Sequence, residues 1–213
     1  MGEPTAKAPY EPDGSHLKSS EVYWQALADR TPAELANWTL CEPGPGRSLE
    51  FAFLDAPVRI DFEARRLYQE TTEGWIERDD PLLELAALMY FGQVKRLHPL
   101  SRDLVGLADL SESHFFTGPH ALRLDALQQR FGSDPKGFQR TALELGGQLV
   151  DMADAAACLW PFPRIPLYFL LWLRDEEFPT RLRVLFDRSI DACLPADAIW
   201  ALVNRVGQLF AER

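Results

Sequence analysis

The stretch SHFFTGPHALRL, residues 113–124, sets His114 and His120 six positions apart, around the aromatic pair Phe115 and Phe116 and a Gly118-Pro119 turn. Neutral imidazole is a common metal ligand. Two on one loop can reach one metal ion, or flank a flat cofactor that the phenyl rings cover. A metal wants a third ligand, and the carboxylates nearest in sequence are Glu112 and Asp125. The competing reading is a hydrogen-bonded loop whose Phe pair plugs the core.

A second group is RDEEFP, residues 174–179. Asp175, Glu176 and Glu177 can bind a cation through oxygen or act as general acid and base. Adjacent carboxylates in a hairpin loop are otherwise solvated charge, and Phe178-Pro179 reads as the anchor of this one. Asp187 follows the run RVLF, with Ser189 two residues on. It is either a site carboxylate at a strand end or the cap of the next turn. Arg164, inside the proline-rich run PFPRIP, completes the ligand-binding candidates. The phosphate-loop and dinucleotide glycine patterns, HExxH and the GxSxG elbow are all absent. A Ser-His-Asp triad therefore has no local support, and no particular cofactor is indicated.

The elements that must carry these residues announce themselves by caps and periodicity. TPAE at 31–34 offers Thr31 as N-cap, Pro32 at the first helical position and Glu34 as the return partner of a capping box. Asp80-Pro81 and Asp134-Pro135 repeat the device, with Gly92 and Gly146-Gly147 placed as stops. Ile199, Leu202, Val203, Val206, Leu209 and Phe210 form one apolar helical stripe, expected to lie on a sheet. Residues 48–70 alternate apolar and polar side chains. Phe51 and Phe53 share one face, Val58, Ile60 and Phe62 another, and the pattern predicts a three-stranded antiparallel meander. A second strand group is expected near 156–160, 166–173 and 182–186, where Pro161, Pro163 and Pro166 mark a bend or an edge. Helices between and after two strand groups predict an α+β fold with antiparallel or mixed sheets, not a repeating βαβ one.

Composition narrows the function classes. The chain has 213 residues, 46% of them hydrophobic, enough for one globular α+β domain over 19–213 behind a flexible leader at 1–18. A formal net charge of -10 without a basic cluster argues against nucleic acid as a partner. The apolar run at 165–173 is too short to span a bilayer, and the first twenty residues lack the apolar core of a secretory signal. Cys41, Cys158 and Cys193 are widely separated and form no CxxC pair, so reduced, buried thiols in a cytoplasmic protein are expected.

The segments HFFTGPHAL, RFGSDPKGFQRTALELGG, DAAACLWPFPRIPLYFLLWLRDEEFP and VLFDRSIDACLP occur in that order. Together they resemble the bacterial and archaeal family named domain of unknown function 3786, with a looser likeness through the N-terminal meander. PRxP, LLW, DEEFP and LFDxS carry most of the resemblance. The family brings no activity with it. Some members resemble fusions to a small iron-sulfur domain, which implies a setting in cofactor or redox metabolism. This chain lacks such a domain's cysteines. The reading is an accessory or ligand-binding module with its pocket near the His114–His120 loop, for a small molecule, a metallo-cofactor or a partner protein. Its rivals are a metal-dependent enzyme using Asp175–Glu177 and Asp187, and a purely structural interaction domain. An enzyme needs those polar groups to converge in one cleft.

Overall fold

A computed structural model describes residues 21–213; the leader expected at 1–18 lies outside the described residues. Two short helices, α1 (Glu21–Ala26) and α2 (Pro32–Thr39), precede the first sheet. That sheet is an antiparallel meander in chain order: β1 (Glu42–Pro43), β2 (Ser48–Phe53), β3 (Ala56–Asp61), β4 (Arg66–Thr71) and β5 (Gly74–Glu77). It has five strands where alternation predicts three, because β1 and β5 are too short to show a period. Register places Phe51 opposite Val58 and Leu49 opposite Ile60, so the two apolar sets face one core.

Helix α3 (Pro81–Gln93) leads to the second half: β6 (Leu104–Val105), α4 (Asp125–Phe131), α5 (Pro135–Glu144), β7 (Gln148–Leu149), β8 (Ala155–Phe162), β9 (Ile165–Trp172), β10 (Arg181–Asp187) and α6 (Ala196–Glu212). The second sheet runs β6-β10-β9-β8-β7, with every pairing antiparallel, so the chain is α+β. The proline-rich run falls at the β8–β9 hairpin, where a register shift between Leu159 and Phe162 lets the ladder absorb Pro161 and Pro166.

Helix starts follow the local chemistry. The side chains of Thr31, Asp80 and Asp134 accept from the backbone N–H of Glu34, Leu83 and Gly137, and a proline follows each cap. Gly92 does not stop its helix. It lies inside α3, which ends at an extended Val94, so burial of Tyr90 and Phe91 carries the helix past it. Gly146 does serve as a stop after α5, at φ +75, a left-handed conformation that favours glycine.

One buried cluster draws on both sheets. Phe162 of β8 stacks on Tyr90 of α3 at 4.9 Å and lies 5.3 Å from Phe51 of β2. The expected sheet contact of α6 is only part of its packing. Phe210 meets Phe169 of β9 at 5.7 Å, but α6 lies chiefly against α3 and α4. Buried Asp80 adds a polar tie, accepting from Arg78 at 2.7 Å and Arg205 at 2.7 Å while it caps α3. No helix among the described residues is long and apolar enough to cross a membrane.

Candidate functional site

The His114–His120 loop is built from two 3-10 turns, Ser113–Phe115 and Gly118–His120. Phe116 is buried and Phe115 half-buried, so the aromatic pair does reach the core. His120 stacks on Phe115 at 4.4 Å and meets Trp200 of α6 edge-on at 6.3 Å. His114 is exposed, and its carbonyl accepts from the Thr117 hydroxyl. Among the described residues no group of three or more His, Cys, Asp or Glu is arranged to hold a metal ion.

Helix α6 fixes the end of this loop. Trp200 Nε1 donates to the Ala121 carbonyl at 3.3 Å, and Asn204 Oδ1 accepts from the Arg123 N–H at 2.8 Å. Earlier in the loop, Glu112 accepts from the Ala196 N–H and supplies the capping carboxylate that Pro195 cannot give α6. Between the loop and β10 lies a cleft of about 550 Å³. Its apolar lining includes Leu107, Phe116, Leu122, Leu124, Leu182, Val184 and Leu185, and its polar lining Asp109, Asp125, Gln128 and Arg183. Neither histidine lines it.

The Asp175–Glu177 loop has a different construction. Asp175 Oδ1 accepts from the N–H groups of Glu177 at 2.8 Å and Phe178 at 2.6 Å, and its own N–H donates to the Phe178 carbonyl. Those two amides hold its carboxyl below the usual range. Glu176 and Glu177 are exposed. Phe178 does not anchor the loop: the turn presents its side chain, 65% exposed, beside a cleft of about 650 Å³ lined by Trp172, Leu173, Pro179 and Arg181.

Asp187 stands at the other end of β10, about 20 Å of strand away, and shares neither cleft. It is 3% exposed and accepts from Ser101 N–H, Ser101 Oγ, Arg102 N–H and Ser189 N–H, so it caps the following turn and ties the 101–102 segment to β10. Burial pushes its carboxyl up, but the hydrogen bonds from Ser189, Ser101 and Arg102 outweigh it and bring the pKa to about 2. Arg102 needs the contact, since its φ of 62 is left-handed and costs a non-glycine residue about 1–2 kcal/mol.

Arg164 lies in the β8–β9 turn, half-buried. Nη2 donates to the His98 carbonyl, while the buried Nε has no partner. Its charge is felt by the Cys193 thiol, which burial pushes up to about 11. Cys41 and Cys158 are likewise raised by burial, to about 12 and about 11, and all three thiols are free and buried. Such thiols are poor nucleophiles near neutrality.

The structure thus brings Phe116 to a cleft beside the histidine loop and Asp175 to a separate one, and leaves Asp187 and Arg164 as internal ties. Sequence reasoning missed Gln128, Trp200 and Asn204. Asn204 had a signal, a polar side chain between Val203 and Val206 on an apolar helix; Gln128 and Trp200 had none. No curated protein and no solved structure matches the chain. The sequence profile of the domain of unknown function DUF3786 matches residues 17–208, and the chain belongs to that family.

Proposed function

We propose that this chain is a binding module without catalysis of its own, and that its ligand occupies the cleft between residues 106–128 and β10. One observation carries the reading: this cleft combines an apolar lining with a few separated polar groups, while Asp175 and Asp187, the carboxylates that an enzyme would use, lie outside it and are tied into their own turns. Asp187 is held by its four hydrogen bonds and Asp175 by its own turn. The lining suits recognition, because apolar walls supply affinity and isolated polar groups fix orientation. The likeness of some family members to iron-sulfur fusions favours an accessory role in cofactor or redox metabolism.

The test is amide shift mapping of the full chain with a library of small fragments. Shifts should concentrate at 106–109, 121–128 and 182–185, and Leu185→Arg, which fills the cleft, should abolish them. Fragments that gather instead at 172–181, or perturb no cluster, overturn the assignment.

A further inference from the structure

Strand β10 has an interrupted ladder inside this cleft. On one side it pairs with β9 from Arg181 to Phe186; on the other, β6 covers only Phe186 and Asp187. The Arg188 N–H donates to the Asp103 carbonyl at 2.9 Å, continuing that β6 register. Backbone groups of an antiparallel strand alternate sides, so the N–H and C=O of Arg188, Phe186, Val184 and Leu182 all point to the β6 side. The Leu182 N–H confirms the alternation, donating to Gln128 Oε1 at 3.1 Å where a strand carbonyl would otherwise sit.

β6 stops because the chain turns away at Gly106. Asp109 Oδ2 accepts from the Gly106 N–H and starts the 3-10 turn Leu107–Asp109. Between that turn and Gln128, no described residue pairs with the outward N–H and C=O of Val184. Val184 lines the cleft and is 6% exposed. A buried backbone donor without a partner costs about 1–3 kcal/mol, and such orphans are rare.

We infer that the ligand of this cleft is an extended, basic peptide segment of a partner protein, which pairs with the outer edge of β10 at Val184 and continues the ladder that β6 abandons. The inference rests on the cleft being the binding site. The open N–H and C=O call for a strand, which supplies both complements at the right spacing. Leu107, Phe116, Leu122 and Leu124 offer apolar contact to its alternate side chains. Asp109 and Asp125 outnumber Arg183 at the cleft, and the chain carries a net charge of -10, so Lys or Arg in the segment is favoured.

The probe is a pool of end-capped octapeptides randomised over Val, Ile, Leu, Thr, Lys and Arg, panned against the full chain. Retained peptides should be rich in Lys and Arg, and should slow hydrogen exchange at the Val184 amide by at least about tenfold. Methylating the one backbone nitrogen of a retained peptide that faces the Val184 carbonyl should abolish binding, while methylating the nitrogens on either side of it should not. An unretained pool, an unchanged Val184 exchange rate at saturation, or a methylation scan in which no single nitrogen is decisive overturns the inference. If fragments still map to the cleft, the binding-module reading survives that failure; if they do not, both fall.

Discussion

The two clefts beside β10 are assembled in opposite ways. The one next to the His114–His120 loop has walls held from far along the chain: Trp200 and Asn204 of α6 hold Ala121 and Arg123, Gln128 of α4 holds Leu182, and Asp191 accepts from Ser111. The one next to Phe178 is bounded by a loop that ties itself, through Asp175 and the amides of Glu177 and Phe178. The first shape therefore exists only in the complete fold. The second is a local turn set on the end of a hairpin, and its apolar side chain is left in water. A cleft whose walls are cross-linked loses little conformational freedom when a ligand arrives, which favours binding. A self-tied turn can change without disturbing the core.

The largest separation of the two regions should come from Asp187→Ala. It strands the Ser101, Arg102 and Ser189 amides and releases a left-handed Arg102, so the loss should be about 4 kcal/mol. Urea denaturation measures it, and a loss no larger than that of an ordinary surface substitution would remove Asp187 from its anchoring role.

Acid should act through the same residue. The folded pKa of Asp187 is about 2, below its ordinary value. The carboxylate therefore adds stability that is complete above about 4 and is lost as pH falls through the folded value. Denaturation midpoints should decline across that window, and Asp187→Asn should flatten the decline.

Asn204→Ala should cost about 1 kcal/mol: the Arg123 amide loses its acceptor, but the unpartnered Nδ2 of Asn204 is also removed. The matching signature is faster hydrogen exchange at Arg123, with exchange at Phe178 unchanged.

On the other side of the comparison, Phe178→Ser should change stability by less than about 0.5 kcal/mol, since its ring is mostly in water. A larger destabilisation would mean that the ring packs. Smallest of all, Asp175→Ala should leave the melting temperature unchanged and accelerate exchange only at Glu177 and Phe178. If exchange at 121–128 also rose, the two regions would be coupled and the contrast between them would fail.

What could be read in advance follows the range of the forces involved. Thr31, Asp80 and Asp134 each act on an amide three residues away, so their spacing is visible in the letters. Strand alternation in β2, β3 and β10 is equally local, whereas β8 and β9, buried almost throughout, are legible only as apolar runs. The two-residue strands β1, β6 and β7 escape because a period needs more residues than they have. The candidate site was legible only as a neighbourhood: the histidine loop lies beside the cleft, yet its imidazoles do not line it. Asp80 shows the limit within one side chain. Its cap on Leu83 is a sequence signal, while its bond to Arg205, 125 positions away, is not. Asp187 likewise caps Ser189 locally and restrains Ser101 and Arg102 across 85 and 86 residues. Sequence alone determined the starts of α2, α3 and α5 and the faces of β2 and β3, because hydrogen bonds and side-chain alternation over a few residues decide them. The cleft, its pinned walls and the open amide of Val184 were decided only when the tertiary structure brought α6, α4 and β6 to β10, since contacts between distant residues leave no spacing along the chain.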